Sequence, residues 1–158
     1  MAIIHYKLKK EIKMGNQVNL RIKNIDLIEK SIKRYAIDED QVFDYDVKAQ
    51  SAYNDERNSI VIGSQVVIRP HQNDEIELAN FTVVIEFEIQ NYNAAFLTDA
   101  TGKKIMDLGV ENFLKTITIS TIRGIIYSEL RGTYLHKATL PVIMMDLMKE
   151  TPNAKSIL

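Results

Sequence analysis

The chain predicts an α+β fold, with antiparallel strands first and helices last. Three observations carry this. Through the first two thirds, apolar and polar residues alternate with a period of two. Through the last third, apolar residues recur at helical spacing. The two patterns do not interleave, and such segregation argues for α+β and against alternating βαβ units.

The elements follow in order. Ile4, Tyr6, Leu8, Ile12 and Met14 alternate with mostly polar neighbours, and Val18, Leu20 and Ile22 repeat the pattern. Gly15-Asn16 lies between them and suits a tight hairpin turn, since both residues tolerate positive φ. Asp26 to Tyr35 fits either a short helix or an irregular strand. Asp38-Glu39-Asp40 reads as a loop. Phe43, Tyr45, Val47 and Ala49 then share one strand face. A turn at Asn54–Asn58 precedes Ile60, Ile62, Val66 and Ile68, again on one face. Pro70–Glu75 makes the next turn. Phe81, Val83, Ile85, Phe87 and Ile89 form the cleanest alternation, with Thr82, Glu86, Glu88 and Gln90 opposite. Short turns between these runs predict an antiparallel meander.

After Tyr92 the character changes. Phe96 and Leu97 lead into a turn-rich loop, Thr98–Lys103. Val110, Phe113, Leu114, Ile117, Ile122, Ile125, Ile126 and Leu130 then predict a long helix. Thr116–Thr121 is β-branched and alternating, so a strand competes there, but the length of the periodic run favours the helix. Arg131-Gly132-Thr133 breaks it. Pro141 suits the first position of a short helix to about Met148, because its missing N–H is harmless there.

Composition excludes several functions. With 20 Lys+Arg against 21 Asp+Glu, the chain lacks the basic excess of a general nucleic-acid binder. Zero Cys excludes disulfides, thiolate metal sites and a Cys nucleophile. The length, 158 residues, and an apolar fraction of 46% fit one folded domain. No apolar run approaches the roughly 20 residues that span a bilayer. The N-terminus lacks a signal-peptide pattern, so the cytoplasm is the expected compartment.

Catalytic signatures are missing as well. His5, His71 and His136 form no paired motif. Gly102-Lys103-Lys104 lacks both the upstream Gly and the Ser/Thr of a phosphate loop. Asp38, Asp40, Asp44 and Asp46 lack the central Gly of a calcium loop and fit a solvated acidic edge. No enzyme, metal or cofactor is expected. Methionine stands out instead, with three of the six Met residues in Leu140–Met148. Met suits surfaces that accept varied apolar partners.

The C-terminal third resembles the SecB family of export chaperones. Leu130-Arg131-Gly132-Thr133-Tyr134, six residues, then Pro141-Val142 and a segment ending Leu147-Met148 is similar to that family's Ser-Arg-Gly-Thr-Phe, the same gap, and Pro-Val/Ile-Asn-Phe-Asp-Ala-Leu. Glu88-Ile89-Gln90-Asn91 followed by Ala94-Ala95-Phe96 resembles the family's Glu-Val-Gln and Gly-Gly-Ile-Phe. The resemblance covers roughly residues 17–149, leaving 150–158 as a tail of a single domain. Departures are Tyr134-Leu135 for Phe-Pro, Ile143-Met144-Met145 for Asn-Phe-Asp, Ala94-Ala95 for Gly-Gly, and a near-neutral charge where export chaperones of this type are acidic.

The resemblance implies a four-stranded antiparallel sheet with one long and one short C-terminal helix; the Ile4–Met14 alternation adds a candidate fifth strand that typical members lack. It implies a homotetramer, a dimer of dimers, that holds unfolded polypeptides in apolar grooves without ATP. SecA or a toxin–antitoxin pair are the further partners it suggests. The client-binding candidates are Phe96, Leu97, Tyr134, Leu135, Leu140, Met144, Met145 and Met148. Glu88, which matches the family's motor-facing acidic residue, and neighbouring Glu86 are the motor-contact candidates. A non-chaperone module binding one fixed protein partner or a small apolar ligand is the alternative.

Overall fold

The computed structural model describes residues 19–143. The Ile4–Met14 alternation, its hairpin turn, Val18 and the three methionines at 144, 145 and 148 lie outside the described residues. Four strands, β1 (Leu20–Ile32), β2 (Phe43–Asn54), β3 (Ser59–Pro70) and β4 (Ala79–Ile89), form one antiparallel sheet. Two short strands, β5 (Phe96–Thr98) and β6 (Lys104–Met106), form a separate hairpin. The helix α1 (Leu108–Leu130) follows.

The sheet order is β1-β4-β3-β2. The meander expected from the short turns holds for β2, β3 and β4, but β1 pairs with β4 and not with its sequence neighbour β2. Its long connection to β2 makes a Greek key. The ambiguous segment Asp26–Tyr35 resolves through Ile32 as a continuation of β1. Register shifts at Ile22/Asn24 and Leu27/Glu29 explain the ambiguity, because each irregularity displaces the period-two pattern.

One sheet face makes the core. Ile60, Ile62, Val66 and Ile68 of β3 and Phe81, Val83, Ile85 and Phe87 of β4 are fully buried on it. Ser64 shares that face and donates its hydroxyl to the Lys48 carbonyl, 3.1 Å away. Helix α1 packs against β3 and β4 through Leu114, Ile119, Ile122, Ile126 and Leu130. Phe113, expected in this apolar stripe, is 56% exposed instead.

The β-branched run inside α1 is tolerated because its hydroxyls are satisfied within the helix. Thr116, Thr118 and Thr121 each donate to the carbonyl four residues earlier, at 2.8–3.0 Å. Asp107 caps the start by accepting from the Val110 N–H at 3.1 Å. Glu111 in the first turn complements the helix dipole, bonds Lys115, and accepts from the Ser51 hydroxyl of β2 at 2.6 Å. At the other end Glu129 pairs with Lys30 of β1.

The Arg131-Gly132-Thr133 motif has a physical role. Gly132 sits at φ +77°, where a Cβ is disfavoured. Thr133 donates its hydroxyl to the Leu130 carbonyl at 2.8 Å and accepts from the Leu135 N–H at 3.1 Å. The chain thereby turns off the helix and drops Leu135, Ala138 and Leu140 into the core. The backbone of Pro141–Ile143 is irregular, so no helix is present at its expected start, and the rest of the expected short helix lies outside the described residues.

Phe87→Ala should lower stability by about 3–5 kcal/mol through cavity formation, and Gly132→Ala by about 1 kcal/mol or more through strain at positive φ. Urea-unfolding midpoints check both.

Candidate polypeptide-binding surface

The β5–β6 hairpin bridges the sheet and α1. Its turn is built by Asp99, whose carboxylate accepts from the Thr101 N–H, the Thr101 hydroxyl and the Lys103 N–H at 2.6–2.9 Å. Those bonds hold the Asp99 carboxyl below its ordinary pKa. Gly102, at φ +82°, closes the turn. The pairing is Phe96 with Met106, Leu97 with Ile105 and Thr98 with Lys104. Alternation therefore puts Phe96, Met106 and Lys104 on one face and Leu97 with Ile105 on the other. Phe96 and Met106 pack against the core. Leu97 and Ile105 form a cross-strand apolar pair, 53% and 41% exposed.

Beneath the hairpin lies an aromatic cluster. The Phe96 ring stands 4.8 Å from Tyr92, in the 3-10 turn Tyr92–Ala95, and 5.0 Å from Tyr53 at the end of β2. Lys104 reaches over all three rings and pairs with Asp55 in the β2–β3 turn. Hydrogen bonding from Lys104 holds the Asp55 carboxyl below the ordinary range. Burial, and then the neighbouring Asp55 charge, pushes the Tyr92 phenol well above its ordinary value. The buried Tyr92 hydroxyl lies beside Asp55, and the buried Ser59 hydroxyl beside Glu86.

A second apolar surface lies on β1. Ile22, Ile25 and Leu27 pair across the sheet with Phe87, Ile85 and Val83. Those β4 partners are fully buried, whereas Ile22, Ile25 and Leu27 are exposed. The apolar face thus continues onto β1 beyond the cover of α1.

The sequence-predicted residues divide. Phe96 and Leu97 lie together on the hairpin. Tyr134 is half-buried and donates its hydroxyl to the Lys33 carbonyl, and burial raises its pKa. Leu135 and Leu140 are closed to solvent, at 0% and 2% exposure, so they support the fold and offer a client no surface. Glu86 and Glu88 lie on the opposite sheet face, each engaged by β1. Arg21 bonds Glu88 at 2.6 Å and Lys23 bonds Glu86 at 3.2 Å. Lys23, then Ser59, holds the Glu86 carboxyl below its ordinary pKa.

Sequence reasoning missed Ile105, Lys104, Tyr53, Tyr92 and Asp55. A three-residue strand is too short to show a period, and the aromatic cluster joins residues from four separate segments. Among the described residues, no His, Cys, Asp and Glu are grouped to hold a metal ion, and no helix is long and apolar enough to cross a membrane.

No family model and no curated protein sequence matches the chain. Among solved structures, it matches the Mycobacterium tuberculosis Rv1957 SecB-like chaperone, in complex with a ChAD peptide from the Rv1956 HigA1 antitoxin. The TM-score is 0.55 at 14% identity, over 78% of this chain and 89% of that one. The fold is SecB-like. In this SecB-like fold the Arg-Gly-Thr turn, the end of β4 and the Ala94-Ala95-Phe96 crossover are the described parts that carried the resemblance in sequence.

The depressed Asp55 pKa gives a pH prediction. Its pairing stabilises the fold fully above the unfolded value of about 4 and is lost as pH falls through the lower folded value. Wild type should therefore exceed Asp55→Asn in stability at pH 6, and the gap should close toward pH 3. Urea unfolding at both pH values checks this.

Proposed function

We propose that the protein is an ATP-independent holdase that binds unfolded polypeptides on exposed apolar surface, and is not an enzyme. The observation that carries this is the SecB-like fold presenting Leu97 and Ile105 outward on its crossover hairpin. Clients of varied sequence need apolar contact without fixed side-chain pairing. An outward apolar pair beside an aromatic cluster meets that need. Leu97, Phe96 and the half-buried Tyr134 are the client-binding residues within the described region. Met144, Met145 and Met148, outside the described residues, complete the proposed client-binding set.

We further propose that copies assemble as a dimer of dimers and work in the cytoplasm. The uncovered apolar face of β1, at a sheet edge, supports assembly. A toxin–antitoxin setting is favoured over delivery to SecA. The M. tuberculosis neighbour is bound to an antitoxin peptide, and Glu86 and Glu88, the motor-contact candidates, are already paired with Lys23 and Arg21.

Stoichiometric protein without nucleotide should suppress aggregation of a chemically unfolded client, followed by light scattering. No suppression at several-fold excess contradicts the proposal. Burying a Leu or Ile side chain contributes about 1.5–3 kcal/mol. Leu97→Asp with Ile105→Asp should therefore weaken client binding at least ~10-fold while leaving the urea midpoint near wild type. Met144→Asp with Met148→Asp should weaken holding in the same assay. Ile25→Asp with Leu27→Asp should lower the assembled mass measured by light scattering.

A further inference from the structure

We propose that Lys104 is a built-in occupant of the Tyr53–Tyr92–Phe96 cluster, a latch that must lift before a client can stack on those rings. This rests on the holdase reading above. The Lys104 ammonium lies 4.1 Å from the Phe96 ring centre, 4.6 Å from Tyr92 and 5.5 Å from Tyr53, and it pairs with Asp55. Three ring faces and one carboxylate converge on a single cation, an arrangement that attracts an ammonium through the ring quadrupoles. While the ammonium is there, no apolar side chain can occupy the same faces.

The latch is placed to move. The Lys104 side chain is 34% exposed and Asp55 60% exposed, so the lysine leaves into water without a buried charge being stranded. Its stem is flexible and its ammonium is strongly hydrated. It sits on the hairpin that also carries Leu97 and Ile105, the open apolar pair. A chain that engages that pair must pass round the hairpin edge to reach the covered rings on its other face. Tyr53, 43% exposed, lies at the solvent rim of the cluster. One hairpin thus holds an open apolar pair on one face and a cation-covered aromatic site on the other.

Two readouts test the latch, using reduced, carboxymethylated lactalbumin as a permanently unfolded client. The first is client affinity for wild type, Lys104→Gln, Asp55→Asn and Lys104→Arg. Lys104→Gln and Asp55→Asn should bind about three- to tenfold more tightly. Lys104→Arg keeps a cation that stacks on aromatic faces at least as well and should bind client no more tightly than wild type. Asp55→Asn is an exposed change that keeps the lysine, so the test survives if Lys104→Gln misfolds. The second readout is the NMR signal of the Lys104 ε-methylene, which the rings should shift upfield in the free protein. Saturating client should return it toward the free-lysine position. Equal affinity across the folded variants, or a ring-shifted signal that persists at saturation, overturns the latch alone. Absence of binding by all four proteins overturns the holdase reading and the latch with it.

Discussion

One helix lies against a four-stranded sheet, and the rest of the structure follows from the mismatch in their widths. Strands sit about 4.8 Å apart, so four of them span about 15 Å or more, whereas a helix with its side chains is about 10 Å across. The single helix α1 covers the central strands β3 and β4, whose inward residues are fully buried. It leaves Ile22, Ile25 and Leu27 of β1 exposed although they continue the same apolar face. The hairpin and the Arg131–Leu140 return segment fill part of the remaining width, with Phe96, Met106, Leu135 and Leu140 packed on the core. What they do not cover is the surface on which assembly and polypeptide binding are argued.

Polar ties keep this incomplete cover in place. Glu111 joins the start of α1 to Ser51 of β2, Glu129 joins its end to Lys30 of β1, and Lys104 ties the hairpin to the Asp55 turn. Most of these groups are at least partly exposed, where such pairs contribute little to stability. Their effect is positional, since they hold the helix across the two central strands and the hairpin over the aromatic cluster. On the far sheet face, Arg21 and Lys23 do the same for the register of β1 against β4.

Much of this was legible in the residues, for reasons that differ along the chain. The β4 alternation from Phe81 to Ile89 is uninterrupted because a central strand buries one whole face. The long helix was legible despite Thr116–Thr121, because length outweighs a local β-branched run. Pairing of β1 was not legible, since short-range turn signals report sequence neighbours and β1 pairs across the sheet with β4. Its two register irregularities also blurred the strand into an apparent helix-or-strand choice. At the surface, Leu97 could be read but Ile105 could not, because their pairing depends on the Asp99 turn. Leu135 and Leu140 looked like groove residues by resemblance, yet the Thr133 turn carries them inward. Burial depends on where a turn points, and composition alone does not encode that direction.

The proposed holding of unfolded chains depends on the outward apolar pair of the β5–β6 hairpin, Leu97 and Ile105. Hydrogen-exchange mass spectrometry of the protein, with and without a permanently unfolded client, tests it most directly. Exchange should slow on client binding in peptides covering Phe96–Met106, with the backbone of β3 and the centre of α1 unchanged. Client binding without slowed exchange across Phe96–Met106 is the contrary result.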